Sequence, residues 1–160
     1  MAYIPRDTSR AIVIKDGKVL LMERWRHDGR QQLHYFSIPG GGIEPGESPE
    51  AAAERELYEE MVIRVRLVAL VATQHEHDRM HYYFLTEHLD GEPRLNPDSE
   101  EAARQTIDNN RYQPRWLSVA ELRASQTQLF PTYQPLLKLL DELLQGKIPD
   151  QPWPINGHQV

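Results

Sequence analysis

Residues 41 to 63 read GGIEPGESPEAAAERELYEEMVI, a glycine-rich loop running into a short acidic helix, and the rest of the chain is best read outward from them. Ser48 suits an N-cap, and Pro49 suits the first helical position, where its missing N–H costs nothing. Glu50 then sits at the positive end of the helix dipole, and Ala51, Ala52 and Ala53 are strong helix formers. At about 100° per residue, with Arg55 at zero, Glu59 falls near ~40°, Glu56 near ~100° and Glu60 near ~140°. The three carboxylates therefore share one arc, while Leu57 and Met61 point to the other side, toward a core. Ala52 lies on the acidic arc one turn earlier, where a small side chain leaves room for a ligand.

Like charges at helical spacings of three and four repel by a few tenths of a kcal/mol per pair. A divalent cation reverses that sign. Magnesium takes hard oxygen ligands and is commonly shared between carboxylates and substrate phosphates. The plain alternative is a solvated acidic helix face. Gly40, Gly41 and Gly42 just before the helix argue against it, because three glycines allow the backbone to come close to a metal or a phosphate. Glu47 and Arg55 are placed to bridge loop and helix, with two surface charges as the plainer reading.

Written G-x5-E-x7-R-E-U-x-E-E-x-x-U, with U apolar, the stretch resembles the signature of the Nudix hydrolase family, the mutator-type nucleoside diphosphate-linked hydrolases. The resemblance is specific over about residues 38–63 and looser over Arg10–Glu23 and Trp116–Leu144. It implies an α+β fold, an α/β/α sandwich around a mixed β-sheet. It also implies a Mg2+-dependent hydrolase, with Mn2+ as a substitute, that cleaves a phosphoanhydride bond in a nucleoside diphosphate-linked substrate. The residues carried over are Glu47, Arg55, Glu56 and Glu59 for catalysis, with Arg55 and Glu47 orienting, and Gly41, Glu56, Glu59 and Glu60 for the metal. Gly40, Gly42, Arg24, Arg26 and Tyr82 are assigned to substrate. Val62 stands where the family has glycine. A β-branched residue in the left-handed region costs about 1–2 kcal/mol, so Val62 is expected to keep negative φ and to pack with Ile63 and Val65.

The 160 residues suit one domain, drawn over residues 1–146, followed by a proline-containing tail over 147–160 read as an extended arm. A formal charge of −6 disfavours nucleic acid and anionic membranes as partners and leaves a small nucleotide-type molecule as the expected substrate. The chain has no cysteine, hence neither disulfides nor thiol chemistry. No apolar run approaches the roughly 20 residues of a membrane span, and the N-terminus lacks a signal-peptide core, so a cytoplasmic location is expected. A homodimer is left open.

Outward from the helix, Arg10–Lys15 and Lys18–Glu23 read as a hairpin turning at Asp16-Gly17. Arg24–Leu33 reads as a polar loop and His34–Ile38 as a strand. Arg64–Gln74 and Met80–Leu89 pair about a turn at His75–Arg79. Gly91–Gln113 reads as a long loop with a helical turn at Glu100–Gln105, and Arg115 opens a short strand. Ser118 caps a small helix. Leu136, Leu137, Leu140, Leu143 and Leu144 mark a last helix ended by Gly146.

Other clusters carry less. His75, Glu76, His77, Asp78 and His81 form no tetrahedral set and read as a solvated turn. Trp25, Tyr35, Tyr82 and Tyr83 suit a core as well as a stacked base. Arg24 and Arg26 suit bidentate phosphate contact, with surface charge as the equal alternative. Glu100 and Glu101 lie where some relatives supply a further ligand or base, and Arg115 stands where certain mutator-type relatives carry an acid. The first proline after the signature is Pro93, too late for the ADP-ribose hydrolase pattern, and Tyr82 is a weak pointer to dinucleoside polyphosphates. A prenyl diphosphate isomerase would need a cysteine. A noncatalytic nucleotide-sensing module is the alternative function, and such modules commonly lose the acids retained here.

Overall fold

Asp16 and Gly17 both take positive φ, 53° and 74°, the left-handed pair that a two-residue hairpin turn requires. The expected hairpin forms as β1 (Thr8–Lys15) and β2 (Lys18–Asp28). The computed structural model describes residues 6–28, 31–107, 110–125, 128–130 and 133–156. Of residues 24–33, expected as a loop, 24–28 and 31–33 are strand, and 29–30 lie outside the described residues. β2 runs on to Asp28 and pairs antiparallel with β3 (Gln31–Ser37), from Met22 opposite Ser37 to Asp28 opposite Gln31. The segment lacks apolar alternation because this end of the hairpin extends beyond the core. Cross-strand contacts hold it instead: the Trp25 and His34 rings stack at 4.9 Å, and Arg111 lies 4.2 Å above the Trp25 ring.

The glycine loop forms β4 (Gly40–Gly42), and the acidic helix is α1 (Pro49–Met61). The next hairpin is β5 (Arg64–Glu76) and β6 (Arg79–Asp90), which turns at His77-Asp78 with His77 at φ 52°. It is longer than expected, so His75 and Glu76 belong to a strand. α2 (Glu100–Ile107) and β7 (Arg111–Leu117) follow. The last elements are α3 (Val119–Ala124), β8 (Gln128–Phe130), α4 (Tyr133–Leu144) and β9 (Trp153–Asn156). Ser118 caps α3 in a reciprocal box with Glu121.

The strands form one mixed sheet in the order β8-β3-β2-β1-β6-β5-β9, with β7 on β2 and β4 on β1. β1 is parallel to β6 and antiparallel to β2 and β4. Its side chains are buried on both faces. Ala11 and Val13 join Leu20, Met22, Leu57, Met61 and Ile63 under α1, whereas Ile12 joins Val19, Leu21, Phe36, Val71 and the leucines of α4. Helices therefore cover both faces of a mixed sheet, the α+β sandwich expected. Within the tail, Trp153–Asn156 adds β9 parallel to β5 and buries Ile155, so the sheet reaches past the boundary drawn at 146. No helix among the described residues is long and apolar enough to cross a membrane.

Candidate active site

The glycine loop is fixed by what it approaches. Gly40 (φ 152°) lies so close to β1 that a Cβ there would stand 2.2 Å from the Ser9 carbonyl oxygen. A Cβ on Gly41 would stand 2.6 Å from the Glu56 carboxylate, and one on Gly42 2.7 Å from the Arg6 guanidinium. Backbone pairing of Ser9 with Gly41 and Thr8 with Gly42 holds the strand in place over α1. The Ser9 hydroxyl donates to the Pro49 carbonyl at the start of the helix. Ser48 caps that helix as expected, accepting from the Ala51 N–H at 3.1 Å.

Arg55 is the hub of the site. It donates from Nε and Nη2 to the two Glu47 oxygens at 2.7 and 2.8 Å, a bidentate fork. Nη2 also donates to the Gly42 carbonyl at 2.9 Å, and Nη1 to Glu56 at 3.1 Å and to Glu59 at 2.9 Å. One guanidinium thus ties loop, helix and two of the three acids. The Glu47 carboxyl is held down to about 2 by its hydrogen bond to Arg55, and the Arg55 guanidinium is raised in turn. Burial pushes the Glu56 carboxyl up, against the pull of Arg55.

Glu60 differs from its neighbours. It is 3% exposed, it accepts from the Gly40 N–H at 3.1 Å, and Arg24 Nη2 donates to it at 3.2 Å. Burial pushes its carboxyl up to about 7 although Arg24 favours the ionised form. Arg24 also donates to the Ser37 hydroxyl at 2.7 Å, lies 3.8 Å from Glu101 and covers the Tyr112 ring at 5.2 Å. Arg24 thus bridges a site carboxylate and the Ser37 hydroxyl.

The expectation for Val62 is overturned. It takes φ 58° and ψ 38°, and its N–H donates to the Tyr58 carbonyl at 2.9 Å in a left-handed cap. Its side chain joins neither core cluster, although Ile63 and Val65 do. Tertiary contacts impose the cap. Arg94 N–H donates to the Met61 carbonyl and Asn96 N–H to that of Glu60, while the Asn96 amide donates to that of Glu59. Gly91 packs so near that a Cβ on it would stand 2.7 Å from the Val62 carbonyl oxygen. With these carbonyls already satisfied by one loop, the chain must reverse at residue 62 whatever residue is there.

A cleft of about 420 Å³ lies over this surface, lined by Arg6, Gly42, Glu44, Arg55, Glu56, Glu59, Glu60, Asn96, Asp98, Ser99, Glu100 and Glu101. The three helix acids thus meet in one cleft, with the acidic start of α2 facing them. Among the described residues no group of three or more His, Cys, Asp or Glu side chains is drawn together as a ready ligand set, since arginines separate the carboxylates. A second cleft of about 240 Å³, lined by Arg10, Arg24, Arg26, Tyr35, Ser37, Gly40 and Glu101, adjoins the first through Glu101. Arg24, Arg26 and Gly40 are therefore brought beside the acids. Tyr82, in register with Ser9 and Thr73, lines neither cleft. Arg115 bonds Glu23 at 2.8 Å and lines neither cleft.

Arg6, Arg10, Ser37 and Asn96 were not found from the sequence. Only Asn96, followed by Pro97 after a strand, carried a turn signal that could have marked it.

A family model described as NUDIX domain matches residues 5–140. The chain is similar to an RNA pyrophosphohydrolase of Aeromonas hydrophila, 39% identical over 37% of this chain and 30% of that protein. It is also similar to diphosphoinositol polyphosphate phosphohydrolase 3-alpha of Mus musculus, 37% identical over 42% of this chain and 38% of that protein. The matches thus span well under half of these relatives' length. Among solved structures, a NUDIX hydrolase from Nitrosomonas europaea superposes with a TM-score of 0.70 at 22% identity, covering 98% of this chain and 81% of that one. An ADP-ribose pyrophosphatase from Streptococcus suis gives 0.63 at 18% identity, covering 96% of this chain and 99% of that one. These last two likenesses concern the fold. The matched span holds the whole sheet except β9, and with it the glycine loop and the acidic helix, so the chain belongs to the Nudix family.

Proposed function

We propose that the protein hydrolyses a phosphoanhydride bond in a nucleoside diphosphate-linked molecule, such as a nucleoside triphosphate or a dinucleoside polyphosphate, with Mg2+ as cofactor. The observation that carries this reading is the convergence of Glu56, Glu59 and Glu60 under a glycine strand that a single Cβ would obstruct. The residues fit a hard divalent cation. Carboxylates and a backbone carbonyl are its preferred donors, and the buried Glu60 and the Gly41 space over Glu56 suit a close-set ion. Glu59, Glu60 and the Gly41 carbonyl would hold it, with Glu56 as a further ligand or as the base. When bound, such an ion neutralises the diphosphate and acidifies water.

The chain's own residues do the rest. Arg55, anchored by Glu47, fixes the rotamers of Glu56 and Glu59. Glu56, where it is not a ligand, accepts the proton of the attacking water. Gly40 and Gly42 allow phosphate oxygens to approach the backbone, and Arg26 shares the second cleft with Gly40. Cytoplasmic action on a small nucleotide follows from the same reading. The test is chromatographic detection of hydrolysis products with Mg2+ across nucleoside triphosphates, dinucleoside polyphosphates, nucleotide sugars and capped RNA. Turnover of at least one that vanishes with chelator supports the reading, and inertness toward all of them defeats it.

A further inference from the structure

The second cleft has the wrong lining for a nucleoside and the right one for phosphate. Its volume of about 240 Å³ falls below the ~300 Å³ at which pockets for drug-sized ligands begin. Three guanidiniums, Arg10, Arg24 and Arg26, face one carboxylate, Glu101. Base-binding pockets offer apolar walls and free ring faces. Here the one aromatic in the lining is Tyr35, whose hydroxyl accepts from Arg26 Nη1 at 3.2 Å, and the nearby Tyr112 ring is covered by Arg24. Planar guanidinium forks match phosphate oxygens in pairs, and their charge stays at any physiological pH. The acidic cleft next to it, which needs a cation before it can accept an anion, shares Glu101 with this one.

We infer that the arginine cleft receives a further phosphate of the substrate, beyond the diphosphate that is cleaved, and that this makes polyphosphate chains better substrates than nucleotide sugars. The inference rests on the hydrolase reading above and names its substrate class. The two clefts then divide the work by charge. The acidic one holds the scissile diphosphate with its cation, and the basic one holds the remaining anion without any. Arg26 is the informative position, because its partner Tyr35 lies in the same cleft, whereas Arg24 also serves Glu60 and Arg10 also donates to the Ile38 carbonyl.

The first measurement is calorimetric titration of inorganic tripolyphosphate into the metal-free protein with chelator present. Arg26→Ala is expected to weaken binding by about 10-fold, the loss of one charge-assisted fork. Arg26→Lys should recover part of it. Arg66→Ala removes an equal charge from the exposed pair with Glu87, and should change binding by less than about 2-fold. No binding by the wild type, or equal effects of Arg26→Ala and Arg66→Ala, overturns the inference. The second measurement compares adenosine 5′-tetraphosphate with ADP-ribose, which share an adenosine diphosphate. Arg26→Ala should raise KM about 10-fold for the first and by a several-fold smaller factor for the second. A wild-type preference for ADP-ribose, or an equal effect on both, also overturns it. If neither compound is hydrolysed, that counts against the hydrolase reading, and the titration alone decides this one.

Discussion

Replacing Val62 with glycine should stabilise the protein. A β-branched residue held at φ 58° is a true conformational outlier, costing about 1–3 kcal/mol. Glycine removes that strain but gains freedom in the unfolded chain, which returns about 0.4–1 kcal/mol. The lost methyls are partly buried but outside both core clusters, so they cost about 0.5–1 kcal/mol more at the usual area coefficient. The net gain is about 0.5 kcal/mol, or about 1–2 °C in Tm for a chain of this size. Differential scanning calorimetry of wild type, Val62→Gly and Val62→Ala separates the terms, since alanine keeps most of the left-handed penalty while losing the methyls. Val62→Ala should not gain. Catalysis on the best substrate should stay within about 2-fold, because the Glu59 and Glu60 carbonyls remain bonded to the Asn96 loop. A Tm for Val62→Gly equal to or below wild type would refute the strain argument.

Glu59→Gln and Glu60→Gln should each lower turnover by about 100-fold or more, since each removes a charged ligand while keeping the shape; near wild-type rates in both would remove the metal assignment. Activity lost to chelator should return with Mg2+ or Mn2+, as read by chromatography of the hydrolysis products. Arg24→Ala should lower kcat as well as raise KM, because it leaves the buried Glu60 without its guanidinium and removes one charge from the arginine cleft, whereas a pure KM effect would deny its bond to Glu60 any part in catalysis. Glu47 is held near 2 in the folded state against an ordinary 4.5, so between those values the unfolded chain binds the extra proton. Its contribution to stability is full above pH 4.5 and is lost as pH falls through about 2. Denaturant melts of Glu47→Gln should show a shallower acid slope in that window, and an unchanged slope would contradict the Arg55–Glu47 clamp.

The acidic helix was legible because everything that makes it is local. Ser48, Pro49 and the alanine run set its start, and the helical period alone puts Leu57 and Met61 in a core and the acids on one side. Asp16-Gly17 likewise announces its own turn. The polar half of the β2–β3 hairpin was not legible, since cross-strand partners such as Trp25 and His34 replace the apolar alternation by which strands are recognised. β9 is a similar case: its hydrogen-bond partner lies about eighty residues earlier, in β5. The period also placed Glu60 among the acids but not its burial, which depends on Gly40 and Arg24 arriving from two other strands. Val62 marks the limit most clearly. Intrinsic preference argued for negative φ, yet a loop more than thirty residues onward satisfies the last helix carbonyls and forces the reversal. Local sequence determined the acidic helix and the face its carboxylates share; tertiary packing decided which of them are buried, what neutralises them and where strain is held, because burial and backbone satisfaction depend on segments brought together only by the fold.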